Sequence, residues 1–303
     1  MTTKTTRLQD DTAQRMPRAV ASITSALINR LAPGLAVKRA QENLLSPSRR
    51  RIDLARLPHD IQAMRLDTRE GNIQTYHLGD GPAVLLIHGW AGGAYQFFPL
   101  MRGLSRCGFK AVAFDHFGHG HSSGDKASLQ SFVSATNLVL KFLHDNARDG
   151  MAGLVAHSMG CIALANANAK LLGDTPMMLI APVFNFREFF ARQVRKSGLS
   201  AKLAAQCLAR LENGSGPALE RMALDKKLVA HSDRTVIVHD KTDDESNFID
   251  SVNFCSANPL TRLNATTGQG HERIMHSESV WQQLKSHLNY EDITTSPFYS
   301  DHL

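Results

Sequence analysis

Short apolar segments of strand length alternate with segments of helical periodicity along most of this chain, and this alternation most constrains its fold. Residues 83–89 read AVLLIHG, an almost continuous apolar run, and similar runs begin near residues 110, 151 and 175. Continuously apolar strands are typical of parallel sheets, because helices cover both faces of such a sheet. Parallel strands also need long crossover connections, which the helical segments between them supply. The sequence therefore predicts an α/β fold with a mostly parallel central sheet and helices on both faces.

A long helical stretch interrupts the alternation and divides the predicted core. The division that we predict is an N-terminal helical arm over 1–58, a core over 59–183, a small helical cap over 184–234, the second part of the core over 235–290 and a tail over 291–303. The core opens with a hairpin, because two strand-like segments flank Arg69–Gly71. A cap placed between two strands enlarges a loop at the carboxyl ends of the strands, where ligands bind in open α/β sheets.

The segment LVAHSMGCIAL, residues 154–164, joins a predicted strand to a predicted helix and places Ser158 at the join. A very tight turn there brings the backbone of the flanking residues close together, which suits the small Ala156 and Gly160. Such a turn pushes the residue between them out of the fold, at the carboxyl end of a central strand. Ser158 is therefore a candidate nucleophile, and the alternative is a serine in an ordinary turn.

A serine hydroxyl is a weak nucleophile until a base accepts its proton, and the base in turn needs a carboxylate that fixes its tautomer. His271 follows the last predicted strand on a Gly-rich loop and is the best candidate base. The segment VIVHDKTDDES, residues 236–246, supplies the candidate carboxylates Asp240, Asp243, Asp244 and Glu245. We predict that Asp243 orients His271, because it lies three residues into the loop, and we keep Asp244 as the alternative.

Acyl transfer also needs two backbone donors for the oxyanion that forms on the attacked carbonyl. The amide of Met159 lies at the start of the helix after Ser158, where free N–H groups and the helix dipole favour negative charge. The glycines of HGWAGG, residues 88–93, allow the backbone to approach a ligand, so the amide of Trp90 is the second candidate. The alternative for this loop is a plain strand-to-helix turn.

Neither metal nor cofactor is expected. His116, His119 and His121 crowd one turn, but the segment has few acidic or thiol partners beyond Asp115, and histidines in turns are more often structural. The four cysteines contain no CxxC pair and suit buried free thiols better than disulfides or a zinc site.

The excess positive charge is confined to the N-terminal arm. Residues 1–60 contain 11 Lys/Arg and 5 Asp/Glu, whereas residues 61–303 contain 23 of each. Residues 15–45 have helical periodicity and could contact a membrane surface or a partner; the alternative is that they pack on their own domain. No aromatic residues interleave with these charges, so we expect no nucleic-acid partner. The sequence shows neither a long apolar run nor a signal-peptide pattern, and we expect a cytoplasmic location and leave the oligomeric state open.

Five segments together resemble the α/β-hydrolase superfamily over about residues 60–290: LLIHGWAGG, FDHFGHGHSSG, AHSMG, HDKTDD and TGQGHERI. Bacterial serine esterase-like members with a basic N-terminal helix and a short helical cap are the most similar. The resemblance implies a triad of Ser158, Asp243 and His271, with Trp90 and Met159 lining the oxyanion hole. It also implies that the turn from Asp115 is a structural signature. Two departures are Ala156 in place of the first Gly of the usual elbow, and a loop after Asp243 that lacks the common Pro and Val.

The expected reaction is hydrolysis of small or medium acyl esters through an acyl-enzyme. Phe97 and Phe98, beside the oxyanion loop, and Phe186, at the start of the cap, are candidates for an apolar substrate pocket, although plain packing is the commoner role for each. A thioesterase, a lactonase or a carbon–carbon bond hydrolase could use the same triad. A noncatalytic ligand-binding homologue is a further alternative, which would be expected to have lost a triad residue.

Overall fold

An eight-stranded sheet forms the centre of the computed structural model, which describes residues 9–10, 46–196 and 219–289, with single helical residues at 38, 42, 202, 205, 206 and 209. The strands are β1 (Gln62–Thr68), β2 (Gly71–Leu78), β3 (Ala83–Ile87), β4 (Lys110–Phe114), β5 (Met151–His157), β6 (Met177–Ile180), β7 (Thr235–Asp240) and β8 (Arg262–Thr266). They lie in the order β8-β7-β6-β5-β3-β4-β2-β1. The six strands from β3 to β8 are mutually parallel.

The predicted hairpin forms the antiparallel end of this sheet. β1 pairs with β2 over the full register from Gln62 opposite His77 to Thr68 opposite Gly71. β2 then pairs antiparallel with β4. Beyond the hairpin, every pairing is parallel, and β3, β6 and β7 are buried along their whole length. The prediction of an α/β fold with a mostly parallel central sheet is therefore confirmed.

Helices cover both faces of the sheet. The helices are α1 (Phe98–Arg106), α2 (Leu129–Asn146), α3 (Met159–Ala165), α4 (Ala169–Leu172), α5 (Phe186–Lys196), α6 (Leu224–Leu228), α7 (Phe248–Ala257), α8 (Gly270–Arg273) and α9 (Glu278–His287). One apolar cluster joins the sheet to α2, α3, α6 and α7, and a second joins it to α1 and α9. The carboxyl ends of the parallel strands are left facing the loops that carry the candidate site.

Two helices differ from the sequence prediction. The helix predicted after Ser158, for which the helical periodicity runs over 161–172, is divided into α3 and α4. The Asn166 side chain bonds the Ile162 carbonyl, and Asn168 caps the next turn at Lys170. Helix α7 lies in the region after Asp243 that the sequence analysis treated as loop. It begins after Asn247, whose side-chain oxygen accepts a hydrogen bond from Ile249 N at 3.3 Å. Asn at an N-cap satisfies an orphan donor and starts a helix locally.

Several predictions fall wholly or partly outside the described residues. The segment 15–45, except for single helical residues, most of the cap between 197 and 218, and the tail lie outside them, so the division into arm, core, cap and tail stays a prediction. Three cysteines are described, and all three are free thiols, of which Cys107 and Cys161 are buried and Cys255 is half-buried. Across the described parts of the chain, helices long and apolar enough to cross a membrane are absent.

The end of the predicted arm is anchored to the core by Arg49. Its guanidinium donates hydrogen bonds to the carbonyls of Gly120 and Gly124, each at 2.8 Å, and also contacts the carbonyl of Ser122. Arg51 adds a bond to the Gly120 carbonyl at 3.2 Å. These contacts hold the 118–124 turn, which lies behind the candidate site.

Candidate active site

Ser158 occupies a strained turn between β5 and α3. Its φ of 53° and ψ of −122° lie in a region that non-glycine residues rarely adopt, and such strain persists where the surrounding fold imposes it. The fold imposes it through Gly160, where a Cβ atom would lie 2.6 Å from the Ile87 carbonyl oxygen and 2.7 Å from that of His88. The close approach that the sequence predicted is therefore real at Gly160, and it directs the Ser158 side chain away from the core.

The structure brings Ser158, His271 and Asp243 into one hydrogen-bonded chain. The His271 Nε2 lies 2.8 Å from the Ser158 Oγ, and the His271 Nδ1 lies 2.7 Å from the Asp243 Oδ2. The Asp243 side chain is fully buried, whereas that of His271 is 10% exposed. This order of contacts orients the imidazole so that its Nε2 can accept the serine proton while Nδ1–H donates to the carboxylate.

The Asp243 carboxylate is held in its ionised form by its neighbours. Burial alone would raise its pKa, but hydrogen bonds from His239 and His271 hold the pKa well below its ordinary value. Oδ1 accepts from the backbone N–H groups of Glu245 and Ser246 at 2.8 and 2.9 Å. A permanently negative carboxylate can stabilise the imidazolium that forms when His271 takes a proton.

Asp240, another carboxylate that the sequence offered, has a different position. Its buried side chain accepts hydrogen bonds from Thr242, from the Thr266 hydroxyl at 2.7 Å, and from the backbone N–H groups of Gly268–Gln269 at 3.2 and 3.0 Å. Although burial opposes ionisation, these bonds hold the Asp240 pKa well below its ordinary value. Asp240 therefore ties the end of β7 to the loop that precedes His271.

The other two candidate carboxylates contact the first helix of the predicted cap. The Glu245 carboxylate accepts a hydrogen bond from Gln193 Nε2 at 2.7 Å, and the backbone carbonyl of Asp244 accepts one from Arg192 at 3.4 Å. The alternative triad acid, Asp244, is exposed, and no described contact joins its side chain to His271. The loop that carries Asp243 is thus connected to α5.

Both candidate oxyanion donors lie beside Ser158. A Cβ atom at Gly89 would lie 2.8 Å from the Ser158 Cβ, so the HG loop packs directly against the serine and only glycine fits there. Met159 is the first residue of α3, where backbone N–H groups have no helical acceptor. Within the described parts of the chain, no acceptor engages the amide of Trp90 or Met159. Two unpaired donors next to the candidate nucleophile are the arrangement that stabilises an oxyanion.

The turn after β4 supports the oxyanion loop through Asp115. Its buried carboxylate accepts hydrogen bonds from Ala94 N and His121 N, both at 3.0 Å, and from the Tyr76 hydroxyl at 3.2 Å. A Cβ atom at Gly120 would overlap the carboxylate, so the turn closes around Asp115. The Asp115 side chain thereby holds the start of the helix after the oxyanion loop.

The neighbouring histidines are packing and hydrogen-bonding residues. The His119 Nε2 accepts a hydrogen bond from Ala91 N at 3.1 Å, and Ala91 itself has a strained φ of 55°. His116 is stacked on Phe132 with ring centroids 3.8 Å apart, and Phe132 is also stacked on Trp90. Among the residues that the structure describes, no group of three or more His, Cys, Asp or Glu side chains is arranged to hold a metal ion.

His157 is a site residue that the sequence analysis did not single out. Its Nε2 lies 2.9 Å from the backbone carbonyl oxygen of His271, and the two rings lie 4.8 Å apart. Burial, together with the nearby His271, lowers the His157 pKa to about 3. Neutral His157 can therefore donate its Nε2–H to the main chain of His271. Its place next to Ser158 was the only signal available in the sequence.

The candidate pocket phenylalanines have different positions. Phe97 and Phe98 are only 1% and 7% exposed and pack in the core cluster with α1 and α9, where Phe98 meets Tyr76 edge to face. This packing corrects the expectation that they line a substrate pocket. Phe186 is half-buried and lines a cavity of about 600 Å³ between the start of α5, α6 and α7. Ser158, Asp243 and His271 are not among the residues that line this cavity.

Comparisons with known proteins agree with this fold. The family model described as serine aminopeptidase, S33, matches residues 81–287. A human protein named serine hydrolase-like protein is 32% identical over 133 residues, which span 41% of this chain and 65% of the relative. An esterase of Pyrococcus furiosus superposes with a TM-score of 0.59 at 15% identity, covering 76% of this chain and 92% of that one.

Two further solved structures share the fold. Est1E of Butyrivibrio proteoclasticus, solved with ferulic acid, superposes with a TM-score of 0.55 at 15% identity over 75% of this chain and 97% of that one. A thioesterase domain from the curacin biosynthetic pathway gives a TM-score of 0.55 at 16% identity over 76% and 99%. The matched family model covers most of the sheet and all three residues of the candidate triad. The chain therefore belongs to the serine aminopeptidase S33 family of α/β-hydrolases.

Proposed function

We propose that the protein is a serine hydrolase of the carboxylesterase type that cleaves small or medium acyl esters through Ser158, His271 and Asp243. The observation that carries the proposal is the continuous hydrogen-bonded chain from the Ser158 Oγ through His271 to the buried Asp243 carboxylate, at 2.8 and 2.7 Å. A serine hydroxyl bonded to an imidazole that is itself bonded to a carboxylate is the arrangement that activates serine for attack on an acyl carbon.

In the first half of the reaction, the Ser158 oxygen attacks the ester carbonyl carbon while His271 Nε2 accepts the hydroxyl proton. The carbonyl oxygen becomes an oxyanion, which accepts hydrogen bonds from the amides of Trp90 and Met159. The carbon–oxygen bond of the ester then breaks, and His271 returns the proton to the departing alcohol. The products are a free alcohol and an acyl group bound to Ser158.

In the second half, a water molecule replaces the alcohol. His271 accepts a proton from this water, whose oxygen attacks the acyl carbon, and the same donors stabilise the second oxyanion. The bond to the Ser158 oxygen breaks, His271 returns the proton to the serine, and the carboxylic acid leaves. Asp243 remains ionised throughout because its bonded neighbours hold its pKa far below neutrality.

The substrate class is proposed from the size of the predicted cap. The residues between β6 and β7 are few for a deep acyl tunnel, which favours short and medium chains. Among the structural neighbours, one is named an esterase, one is Est1E with bound ferulic acid, and one is named a thioesterase domain. An ester and a thioester differ only in the leaving group that His271 protonates.

The test is hydrolysis of a chromogenic ester series from acetyl to dodecanoyl by the native chain and by Ser158→Ala. We expect turnover that the variant abolishes with its fold retained, and the preferred chain length measures the acyl pocket. A fluorophosphonate probe should label the native protein and not the variant. Failure of the probe to label Ser158 in well-folded native protein would refute the proposal, because an activated serine reacts with it whatever the natural substrate is.

Aminopeptidase activity is a second candidate, favoured by the description of the family model that matches this chain. An amide is cleaved by the same steps, but the departing amine must be protonated by His271 before it leaves. Amino-acid arylamides offered beside the esters separate the two activities. A higher kcat/KM on arylamides than on every ester would make the peptidase the better description.

A further inference from the structure

The Asp243 carboxylate has a second histidine partner, His239. The His239 Nε2 lies 3.2 Å from the Asp243 Oδ2, the same oxygen that His271 Nδ1 meets at 2.7 Å. The Ser246 hydroxyl approaches that oxygen at 2.9 Å. The side chains of His239 and Asp243 are both fully buried, so water does not compete for these contacts.

The Nδ1 side of His239 faces Ser251, whose hydroxyl can donate to Nδ1 when the ring proton is on Nε2. This serine lies on α7, is fully buried, and places its Oγ 2.7 Å from the His239 Nδ1. A neutral ring with its proton on Nδ1 would turn the Nε2 lone pair towards a carboxylate, which is repulsive. The neutral Nε2–H tautomer and the doubly protonated ring both donate to Asp243. In either state the nitrogen that faces the carboxylate carries a hydrogen.

We propose that His239 is a positioning residue that holds the Asp243 carboxylate in line with His271, with Ser251 fixing the orientation of the His239 ring. Only the expected effects on kcat rest on the proposed function, because they require that the protein hydrolyses esters. His239 lies within β7, a fully buried strand, whereas Asp243 lies in the loop that follows. The hydrogen bond between them therefore fastens the triad acid to the rigid sheet.

The need for such a fastening follows from the geometry of the loop. The backbone donors Glu245 N and Ser246 N belong to the same loop as Asp243. That loop meets the sheet through Asp243 N, which donates to the Asp240 carbonyl, and through the Ser246 hydroxyl, which donates to the Ala181 carbonyl, each at 3.2 Å. Gln193 and Arg192 connect that loop to α5 of the predicted cap. Among the side chains that donate to Asp243, His239 is the one that belongs to the central sheet. Loss of this anchor should let the carboxylate shift relative to His271.

The first variants are His239→Ala and His239→Gln. The glutamine Nε2 lies as many bonds from Cα as the histidine Nε2 and keeps an N–H donor, so it should restore the anchor. For His239→Ala we expect kcat on the best ester to fall roughly 10- to 100-fold with KM changed less than about 3-fold, as misplacement near the reacting groups can cause. For His239→Gln we expect recovery to within about 5-fold of the native kcat.

Two further variants guard against a merely structural effect. Ser251→Ala removes the partner of the His239 Nδ1 with little change in volume and should lower kcat in the same direction by a smaller factor. His77→Gln is the matched control, because His77 is another buried histidine that contacts a hydroxyl, that of Thr75 at 2.8 Å, but lies on β2 at the far end of the sheet. This control should leave kcat unchanged. An equal loss in His77→Gln would overturn the proposal.

A double-mutant cycle with Asp243→Asn tests whether His239 acts through Asp243. Residues in one hydrogen-bonded network give non-additive effects, so His239→Ala should add little to the loss already caused by Asp243→Asn. If the two losses multiply in full, His239 supports the enzyme by some other route and the proposal is wrong.

A measurement without substrate separates this inference from the proposed function. The proton between His271 Nδ1 and Asp243 should give a low-field proton resonance in the native protein. It should shift or broaden in His239→Ala and return in His239→Gln, with His77→Gln unchanged. An unaltered resonance in His239→Ala overturns the inference even if esters are hydrolysed. A native protein that hydrolyses no ester, yet shows the expected change, loses the proposed function and keeps the inference.

Discussion

Four buried histidines make the fold sensitive to mild acid. Burial lowers the pKa values of His77 and His88 to about 4, and those of His119 and His157 to about 3. The hydrogen bonds explain why two of them resist protonation: the His88 Nε2 accepts from His116 N at 3.0 Å, and the His119 Nε2 accepts from a backbone N–H in the oxyanion loop. Adding a proton to either nitrogen would set N–H against N–H.

The sign and size of the effect follow from linkage. In the unfolded chain these histidines regain an ordinary pKa of about 6.5, so the unfolded state binds more protons than the folded state below that pH. The free energy of unfolding is therefore highest above about pH 6.5, where these histidines are neutral in both states. It decreases as the pH falls towards 4. At pH 5 each histidine lowers the free energy of unfolding by about 2 kcal/mol, and the four together lower it by about 8 kcal/mol. This loss is comparable with the whole free energy of unfolding of a typical domain, about 5–15 kcal/mol.

Urea denaturation at a series of pH values between 7.5 and 4.5, at constant ionic strength, measures this dependence. We expect the free energy of unfolding to fall steeply below pH 6.5, with roughly three to four protons taken up by these four histidines on unfolding near pH 5.5. The fully buried His116, whose pKa burial also lowers, adds to this uptake. His77→Gln should reduce the number of protons taken up by about one, because it removes one of the buried titrating rings. His77 also lies away from the candidate site. His144→Gln removes an exposed histidine of α2 and should leave the slope unchanged.

A free energy of unfolding that stays level between pH 7 and pH 5 would refute the reasoning. It would mean that the buried rings accept protons in the folded state as readily as in the unfolded one. Equal changes of slope in His77→Gln and His144→Gln would refute it as well, because burial is the cause invoked and only one of these histidines is buried.

Three other predictions concern the groups around the site. Asp240→Asn replaces an acceptor of charge-assisted hydrogen bonds and should lower the free energy of unfolding by roughly 3 kcal/mol in urea melts. Ester turnover should also fall, because the loop before His271 is released. An unchanged urea midpoint would count against this role of Asp240. Gly160→Ala forces a methyl group against the backbone carbonyls of residues 87 and 88. It should lower the free energy of unfolding by roughly 1–3 kcal/mol and abolish fluorophosphonate labelling. Normal labelling would show that the strand-to-helix turn tolerates a side chain. His157→Phe keeps an aromatic ring but removes the hydrogen-bond donor to the His271 carbonyl, so kcat should fall about 10-fold with KM nearly constant. A kcat equal to that of the native protein would refute this prediction.

The strand pattern and the turn chemistry were predictable because they are local. A run of apolar residues in β3 or β7 indicates a strand covered on both faces, whatever lies beside it. Small residues on either side of Ser158 indicate a tight strand-to-helix turn, and the structure shows the contact that requires Gly160. Helix α7 was missed because its start depends on one capping side chain, Asn247, in a segment that is rich in polar residues.

Side-chain partners at the candidate site were less predictable. Asp240 and Asp243 follow the same strand and are both carboxylates, yet Asp240 bonds the backbone of the next loop and Asp243 bonds His271. Phe97 and Phe98 adjoin the oxyanion loop in sequence but point into the core beside Tyr76. The direction in which such a side chain points is decided by the last turn of backbone, which composition and spacing do not describe.

The sequence by itself determined the fold class, the position of Ser158 at a strand-to-helix turn, and His271 as its best partner, because each rests on a pattern of neighbouring residues. The tertiary structure added the contacts themselves: Asp243, which the sequence favoured over Asp244, meets His271, and His157 and His239 contact this pair. Those contacts join residues up to 114 positions apart, and they exist because β5, β7 and β8 end at the same edge of one sheet. Which side chains meet across that edge depends on strand order and loop conformation, and both are properties of the packed whole.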